Sequence, residues 1–213
     1  ISLSLHCWQT DDVSGFENPD GELTGGIQAT GNYPGKARNI DEVRADLLKV
    51  KSLLPGSHRI NLHEVYGDFG GKKVDRDEVT PDHFTSWMQW AKENGLKLDF
   101  NSTSFSHPKS GMLTLANPDD SIREFWVEHT RCRWIADEMG KYQNDPCIMN
   151  LWIHDGSKDT TVNRLYYRQL LEQSLDRIFA TEYRHMKDCI EAKLFGIGAE
   201  SYTVGSYDFY LGY

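Results

Sequence analysis

Glu191 and Lys193 put a carboxylate and an ammonium two positions apart in "EAKLFGIGAES", at the head of an apolar run punctuated by Gly196 and Gly198. In an extended strand residues i and i+2 share a face, so both charges would point the same way. Three readings of the pair stand open. It is a buried ion pair that holds the strand, because inside a protein a carboxylate needs a cation and an ammonium needs an anion. It is a working pair, in which Glu191 holds a divalent cation and Lys193 stabilises negative charge developing on an oxygen. Or it is two solvated surface charges.

Other residues invite the same double reading. His63 follows "INL" and precedes Glu64, so its ring either faces a pocket at a strand mouth or bonds a backbone carbonyl in the wall. Trp152, in "NLWIHDG", offers a flat wall for the apolar face of a sugar, or plain core packing. His154 and Asp155 are either metal ligands or a loop-facing pair before Gly156. Cys7, in "HCWQ", would need a distant histidine to act as a nucleophile. The stretch "LTGGIQATGNYPGKARN" is rich in glycine but lacks the spacing of a phosphate-binding loop, and Ala37, not Ser or Thr, follows Lys36. It reads as a lid or an oligomer contact.

Five segments bounded by Gly, Pro, Asn or Asp read as strands that would position these groups: residues 1–8, 59–66, 96–101, 147–153 and 190–198. Helical patterns lie between them. "IDEVRADLLKVKSLL" carries Val43, Leu47, Leu48 and Val50 at helical spacing. "TPDHFTSWMQWAKENG" has Thr80 as N-cap, Pro81 in the first turn and Gly95 as a stop. Residues 117–140 are expected to form one helix with Ile122, Phe125, Trp126, His129, Trp134 and Ile135 inward and Gly140 closing it. Residues 160–183 supply Leu165, Leu170, Leu171, Leu175 and Ile178. Alternating strands and helices predict parallel strands covered by helices, as an open sheet or part of a barrel, with ligand sites at the carboxyl ends of the strands. The opposite ends are expected to supply stability only.

Composition narrows the classes. The 213 residues suffice for one sizeable core, and 32 acidic against 23 basic residues give a net charge of -9. Such a field repels phosphate backbones and argues against nucleic acid as a partner. No apolar run reaches the length of a membrane span and no secretory signal precedes the first strand, so a cytoplasmic location is expected, with no membrane partner. Four widely spaced cysteines, Cys7, Cys132, Cys147 and Cys189, suggest neither a zinc knuckle nor a disulfide framework. "NST" at Asn101 reads as a chance match to a glycosylation acceptor.

Through "HCWQTDDVSGFENPDGELTGGIQATGNYPGKARN", "FSHP", "DDSIREFW", "MNLWIHDG", "KDTTVNRL" and "KLFGIGAESYTVGSYDFYLGY", the chain resembles the L-rhamnose isomerase family along all 213 residues. That resemblance implies a (β/α)8 TIM barrel, residues 1–213 supplying about the first five β/α units of its catalytic domain. It implies an aldose-ketose isomerase that interconverts L-rhamnose and L-rhamnulose by a metal-mediated 1,2-hydride shift. The cofactor is a divalent metal, commonly manganese, with zinc, cobalt or magnesium as alternatives, and the assembly a homotetramer. Matching residue by residue, Glu191 is implied as a metal ligand, Lys193 as the group that stabilises charge at O1, and His63, Tyr66 and Trp152 as substrate contacts. The family's remaining metal ligands fall beyond Tyr213, so these 213 residues alone are expected to be inactive. A metal-dependent ketose epimerase, or a fragment with a binding or structural role, are the alternatives.

Overall fold

The strands are built on strict alternation. In β1 (Ser2–His6), Leu3 and Leu5 alternate with Ser2, Ser4 and His6, and in β2 (Ser57–His63) His58, Ile60 and Leu62 alternate with Arg59, Asn61 and His63. One face of each strand is therefore apolar and the other polar. The structure, a computed structural model, describes residues 2–7, 35, 37–104, 107–157, 162–191 and 202–213. Among them β1, β2, β3 (Lys97–Asn101), β4 (Cys147–Trp152) and β6 (Met186–Glu191) form one parallel sheet in that order. A short antiparallel pair, β5 (Gly156–Ser157) with β7 (Tyr202–Thr203), stands apart from it.

Helices α1 (Ile40–Leu53), α2 (Thr85–Glu93), α3 (Asp120–His129), α4 (Cys132–Gln143) and α5 (Arg164–Phe179) fill the connections, and α6 (Tyr207–Gly212) closes the described chain. Side-chain caps start the helices. Asn39 caps α1 by accepting from the Glu42 N–H at 3.0 Å, and Asp119 caps α3 through the Ser121 N–H at 2.8 Å. Thr80 and His83 form a capping box over a 3-10 turn at Pro81–Phe84, which leads into α2. The apolar strand faces pack against the helices in a main core, where Leu47, Ile60, Leu62, Trp87, Leu98, Phe100, Ile135 and Met139 are all buried, and Leu151 of β4 packs with Trp126, Leu171 and Leu175 in a second cluster. At least four crossover units of this kind make the sheet-and-helix alternation that the sequence predicts.

The polar faces point the other way and border a hollow of about 480 Å³ lined by Ser4, Asn61, Asp99, Asn150 and Glu191 among others. Its floor is pinned at the amino ends of the strands. Arg59 grips Asp99 with two hydrogen bonds of 2.8 Å and reaches Asp145 at 2.6 Å, while Lys97 joins Asp145 at 2.8 Å. There β3 and β4 splay, pairing only through Phe100 with Met149 and Asn101 with Asn150. Side chains satisfy the backbone groups left over: the Ile148 N–H donates to Asp99, and Gln143 bonds both the N–H and the carbonyl of Leu98.

Several boundaries differ from expectation. The fifth strand of the sheet begins at Met186, not Ile190, because Lys187 and Asp188 look like loop residues in sequence. Asp188 lies on the helix side, where the Arg133 guanidinium of α4 clamps it at 2.7 and 2.8 Å. Residues 192–198 of the expected strand, Lys193 included, lie outside the described residues. The second strand ends at His63, and Glu64–Tyr66 turn into a 3-10 helix. The single helix over 117–140 is two, broken at Thr130, whose hydroxyl bonds the Val127 carbonyl. Trp134 and Leu165 are 37% and 66% exposed, so neither belongs to the inner stripe. Gly140 does not stop α4, which runs on to a left-handed Asn144 with φ of 50°. A Cβ on Gly140 would sit 1.7 Å from the His185 carbonyl oxygen, so this glycine admits the backbone that leads into β6. Most of the glycine-rich stretch after β1 also lies outside the described residues.

Candidate active site

Five parallel strands end at one rim: β1 at His6, β2 at His63, β3 at Asn101, β4 at Trp152 and β6 at Glu191. Register decides what they share. His6 lies beside Asn61, His63 beside Asn101, Asn101 beside Asn150, and Trp152 beside Glu191. Paired residues of parallel strands point to the same side, so Glu191, Trp152, Asn150, Asn101, His63 and His6 all belong to the polar face.

Glu191 is exposed on that face, and its Oε2 accepts a hydrogen bond from the Asn150 amide at 2.5 Å. His63 is buried. Its Nδ1 lies 2.7 Å from Thr103 Oγ1, and its Nε2 lies 2.8 Å from Asn101 Nδ2 and 3.3 Å from His6 Nε2. An amide nitrogen only donates, so Nε2 is the lone-pair nitrogen and the Nδ1–H donates to Thr103. Burial, and after it the charges of His6 and Arg76, hold the His63 pKa well below the usual range and keep the ring neutral. His6 is lowered too, by burial, against the opposing pull of the Glu191 charge. Trp152 is half-buried, with its ring 6.1 Å from that of His154.

Behind this rim lies a closed polar group. Arg76 Nη1 donates to Glu64 Oε1 and to the Thr103 carbonyl, both at 2.8 Å, and the Thr103 N–H donates to His129 Nε2 at 3.1 Å. All four residues are buried. Burial pushes the Glu64 carboxyl up, to about 8, against the pull of Arg76 and of hydrogen bonds from Thr103. Burial likewise pushes His129 down, to about 3.

Among the described residues two groups of side chains lie close enough to hold an ion, His6 with Cys7 and His63, and Glu64 with His129 and Cys132, the ligand atoms of each group within 4.8 Å of one another. The inner group already carries the Arg76 guanidinium on its carboxylate, a fixed positive charge that opposes a second cation. The outer group offers two imidazoles and a thiol, donors that suit a divalent metal of intermediate hardness, and Glu191 stands exposed on the same polar face of the sheet.

The remaining expected residues have definite places. Tyr66 is fully buried in the main core, and its carbonyl accepts from Trp87 Nε1 at 2.7 Å. Asp155 serves structure. Its carboxylate accepts from the N–H groups of Thr114 and Ala116 and from the Thr114 hydroxyl, which ties down the loop after β3. His154 Nε2 lies 3.1 Å from the carbonyls of Ser110 and Gly111 in the same loop. Asn101, the glycosylation match, is 3% exposed with its amide on His63, so the bland reading holds. Thr103 and Arg76 went unread in the sequence. The polar run "NSTS", directly after an apolar strand, was the signal available for Thr103.

The family profile described as L-rhamnose isomerase (RhaA) matches residues 1–213. A protein of Bacteroides thetaiotaomicron named L-rhamnose isomerase is 74% identical over 212 residues, covering 99% of this chain and 51% of that protein. Proteins of the same name from Shigella flexneri and Rhodopirellula baltica are 54% and 52% identical over 217 residues. Each alignment covers 100% of this chain, against 52% of the Shigella protein and 51% of the Rhodopirellula protein. The chain thus spans about half the length of the curated relatives it matches. It belongs to the L-rhamnose isomerase family.

Proposed function

We propose that the full-length protein is an aldose-ketose isomerase that interconverts L-rhamnose and L-rhamnulose by a 1,2-hydride shift. The observation that carries this reading is the register of β6, which sets Glu191 on the polar face beside Trp152 and Asn150, at the same rim as His63. In the forward direction the C2–H bond of the open aldose breaks with its electron pair and a new C1–H bond forms. O2 gives up its proton as the C2 carbonyl forms, and O1 takes one up. No base is needed at the transferred hydrogen, but both oxygens must be held and their charge neutralised.

Glu191 would hold the divalent metal, manganese by resemblance, and Asn150 fixes the carboxylate for that task. When bound, such a cation supplies Lewis-acid stabilisation of charge on the sugar oxygens. Lys193, by resemblance, would stabilise the oxygen at C1. His63 Nε2, unprotonated, accepts from a sugar hydroxyl near the ring oxygen. Trp152 packs an apolar face of the sugar against its ring. Tyr66 contributes from the core, through the turn that follows His63. The eight-stranded barrel, the homotetramer and the cytoplasmic location belong to the same reading.

Label transfer tests the chemistry. With L-rhamnose deuterated at C2 and full-length protein, retention of deuterium at C1 of the product supports the hydride shift. Complete washout into solvent supports an enediol route, of the kind a ketose epimerase would use. Formation of rhamnulose when residues 1–213 are mixed with the remainder of the protein, and not by either alone, would show that the site is divided between them.

A further inference from the structure

Thr103 is fully buried and held from three sides. Its carbonyl accepts from Arg76 Nη1 at 2.8 Å, its N–H donates to His129 Nε2 at 3.1 Å, and its hydroxyl oxygen lies 2.7 Å from His63 Nδ1. The residue lies two positions past the end of β3, where the ladder with β2 has ended at His63 and Asn101. Its backbone groups must therefore find side chains, and a buried guanidinium and a buried imidazole from two other segments supply them. Arg76 is itself set by Glu64, the residue after His63, at 2.8 Å. With the Asn101 amide nitrogen at Nε2, the His63 proton sits on Nδ1 and the Thr103 hydroxyl oxygen accepts from it.

From this geometry we propose that Thr103, locked by Arg76 and His129, is a positioning residue that fixes the ring and tautomer of His63, keeping the proton on Nδ1 and turning the bare Nε2 to the polar face. The inference rests on the reading of His63 as a sugar contact. A histidine whose proton sits on Nδ1 can only accept at the rim. Thr103 thereby selects a hydroxyl donor as the partner of Nε2. In the free protein Asn101 and His6 occupy that direction, and a sugar hydroxyl would compete with them.

The test compares full-length protein carrying Thr103→Val, which keeps the shape and removes the hydroxyl, with Thr103→Ser, which restores it. The first readout is the magic-angle-spinning spectrum of protein labelled with 15N-histidine, His63 being assigned by its loss in His63→Gln. The expected result is one neutral Nδ1–H tautomer in the native protein and in Thr103→Ser, lost in Thr103→Val. Unchanged His63 signals in Thr103→Val would overturn the proposal. Should Thr103→Val fail to fold, the native spectrum decides: a fixed Nδ1–H ring supports the proposal and an averaged ring overturns it. The second readout is kcat/KM for L-rhamnose, expected to fall roughly 10- to 100-fold in Thr103→Val and to return to within about threefold in Thr103→Ser. A changed spectrum with unchanged kinetics would leave Thr103 as the residue that holds the ring and remove His63 from the sugar site.

Discussion

At the rim, each side chain gets its character from one or two neighbours. Glu191 stands exposed and is anchored by the Asn150 amide, whereas Glu64 is fully buried under Arg76. The first carboxylate can take a cation from solvent and the second cannot without displacing a guanidinium. Glu191→Gln in the full-length protein should weaken manganese binding by at least tenfold in a calorimetric titration, and unchanged affinity would remove Glu191 as a ligand. Lys193→Met should leave metal affinity unchanged while kcat falls by about 10²-fold or more, as measured by steady-state kinetics. Trp152→Ala should act mainly on substrate affinity, raising KM with a smaller effect on kcat; an unchanged KM would return the ring to plain packing. The residue types were legible here. Glu191, His63 and Trp152 could be named from sequence because strand ends are few and polar residues on them fewer. The reason Asp155 is structural was not legible, since its three donors come from Thr114 and Ala116, some forty residues back along the chain.

Among the elements, β1 to β4 and most helices follow directly from period-two and helical patterns, and one start signal from Thr80. The sequence misleads where a charged residue is paired on the apolar side. Asp188 is taken up by Arg133, so "MKDCIE" is a strand despite its polarity, and the helix break at Thr130 depends on a local hydroxyl bond that periodicity does not see. Gly140 joins these two facts. It is a glycine because the His185 backbone, which also accepts the Cys147 N–H at 3.0 Å, lies against α4. Gly140→Ala would drive a Cβ into that carbonyl. It should lower stability by about 1–3 kcal/mol, read by chemical denaturation of the full-length protein, although alanine is the better helix former. A stabilised variant would show that β6 can move away from α4 at no cost.

Over the molecule as a whole, burial of neutral imidazoles sets a pH dependence. His129 is held down to about 3 from an ordinary 6.5, so below pH 6.5 the unfolded chain binds a proton that the folded chain does not. Stability present above pH 6.5 is therefore lost as pH falls toward about 3, with a slope of up to about 1.4 kcal/mol per pH unit for each such group. His63 acts in the same direction. Glu64, raised to about 8, acts oppositely, its stability being present below about 4.5 and lost as pH rises through 8. Denaturation of full-length protein at a series of pH values should show a shallower acid limb in His129→Gln than in the native protein; equal slopes would mean that His129 titrates normally. At this scale the half-length match to the relatives governs interpretation. Among the described residues the parallel sheet has β1 and β6 as its edges. None of the helices described is long and apolar enough to cross a membrane.

The central claim is that a divalent metal sits on the polar face at Glu191. Anomalous diffraction from crystals of the full-length protein grown with manganese locates that ion directly. The account predicts a manganese peak within about 2.5 Å of a Glu191 carboxylate oxygen, on the side shared with Trp152 and His63. A fully occupied peak confined to the buried group of Glu64, His129 and Cys132, with none at Glu191, would contradict it.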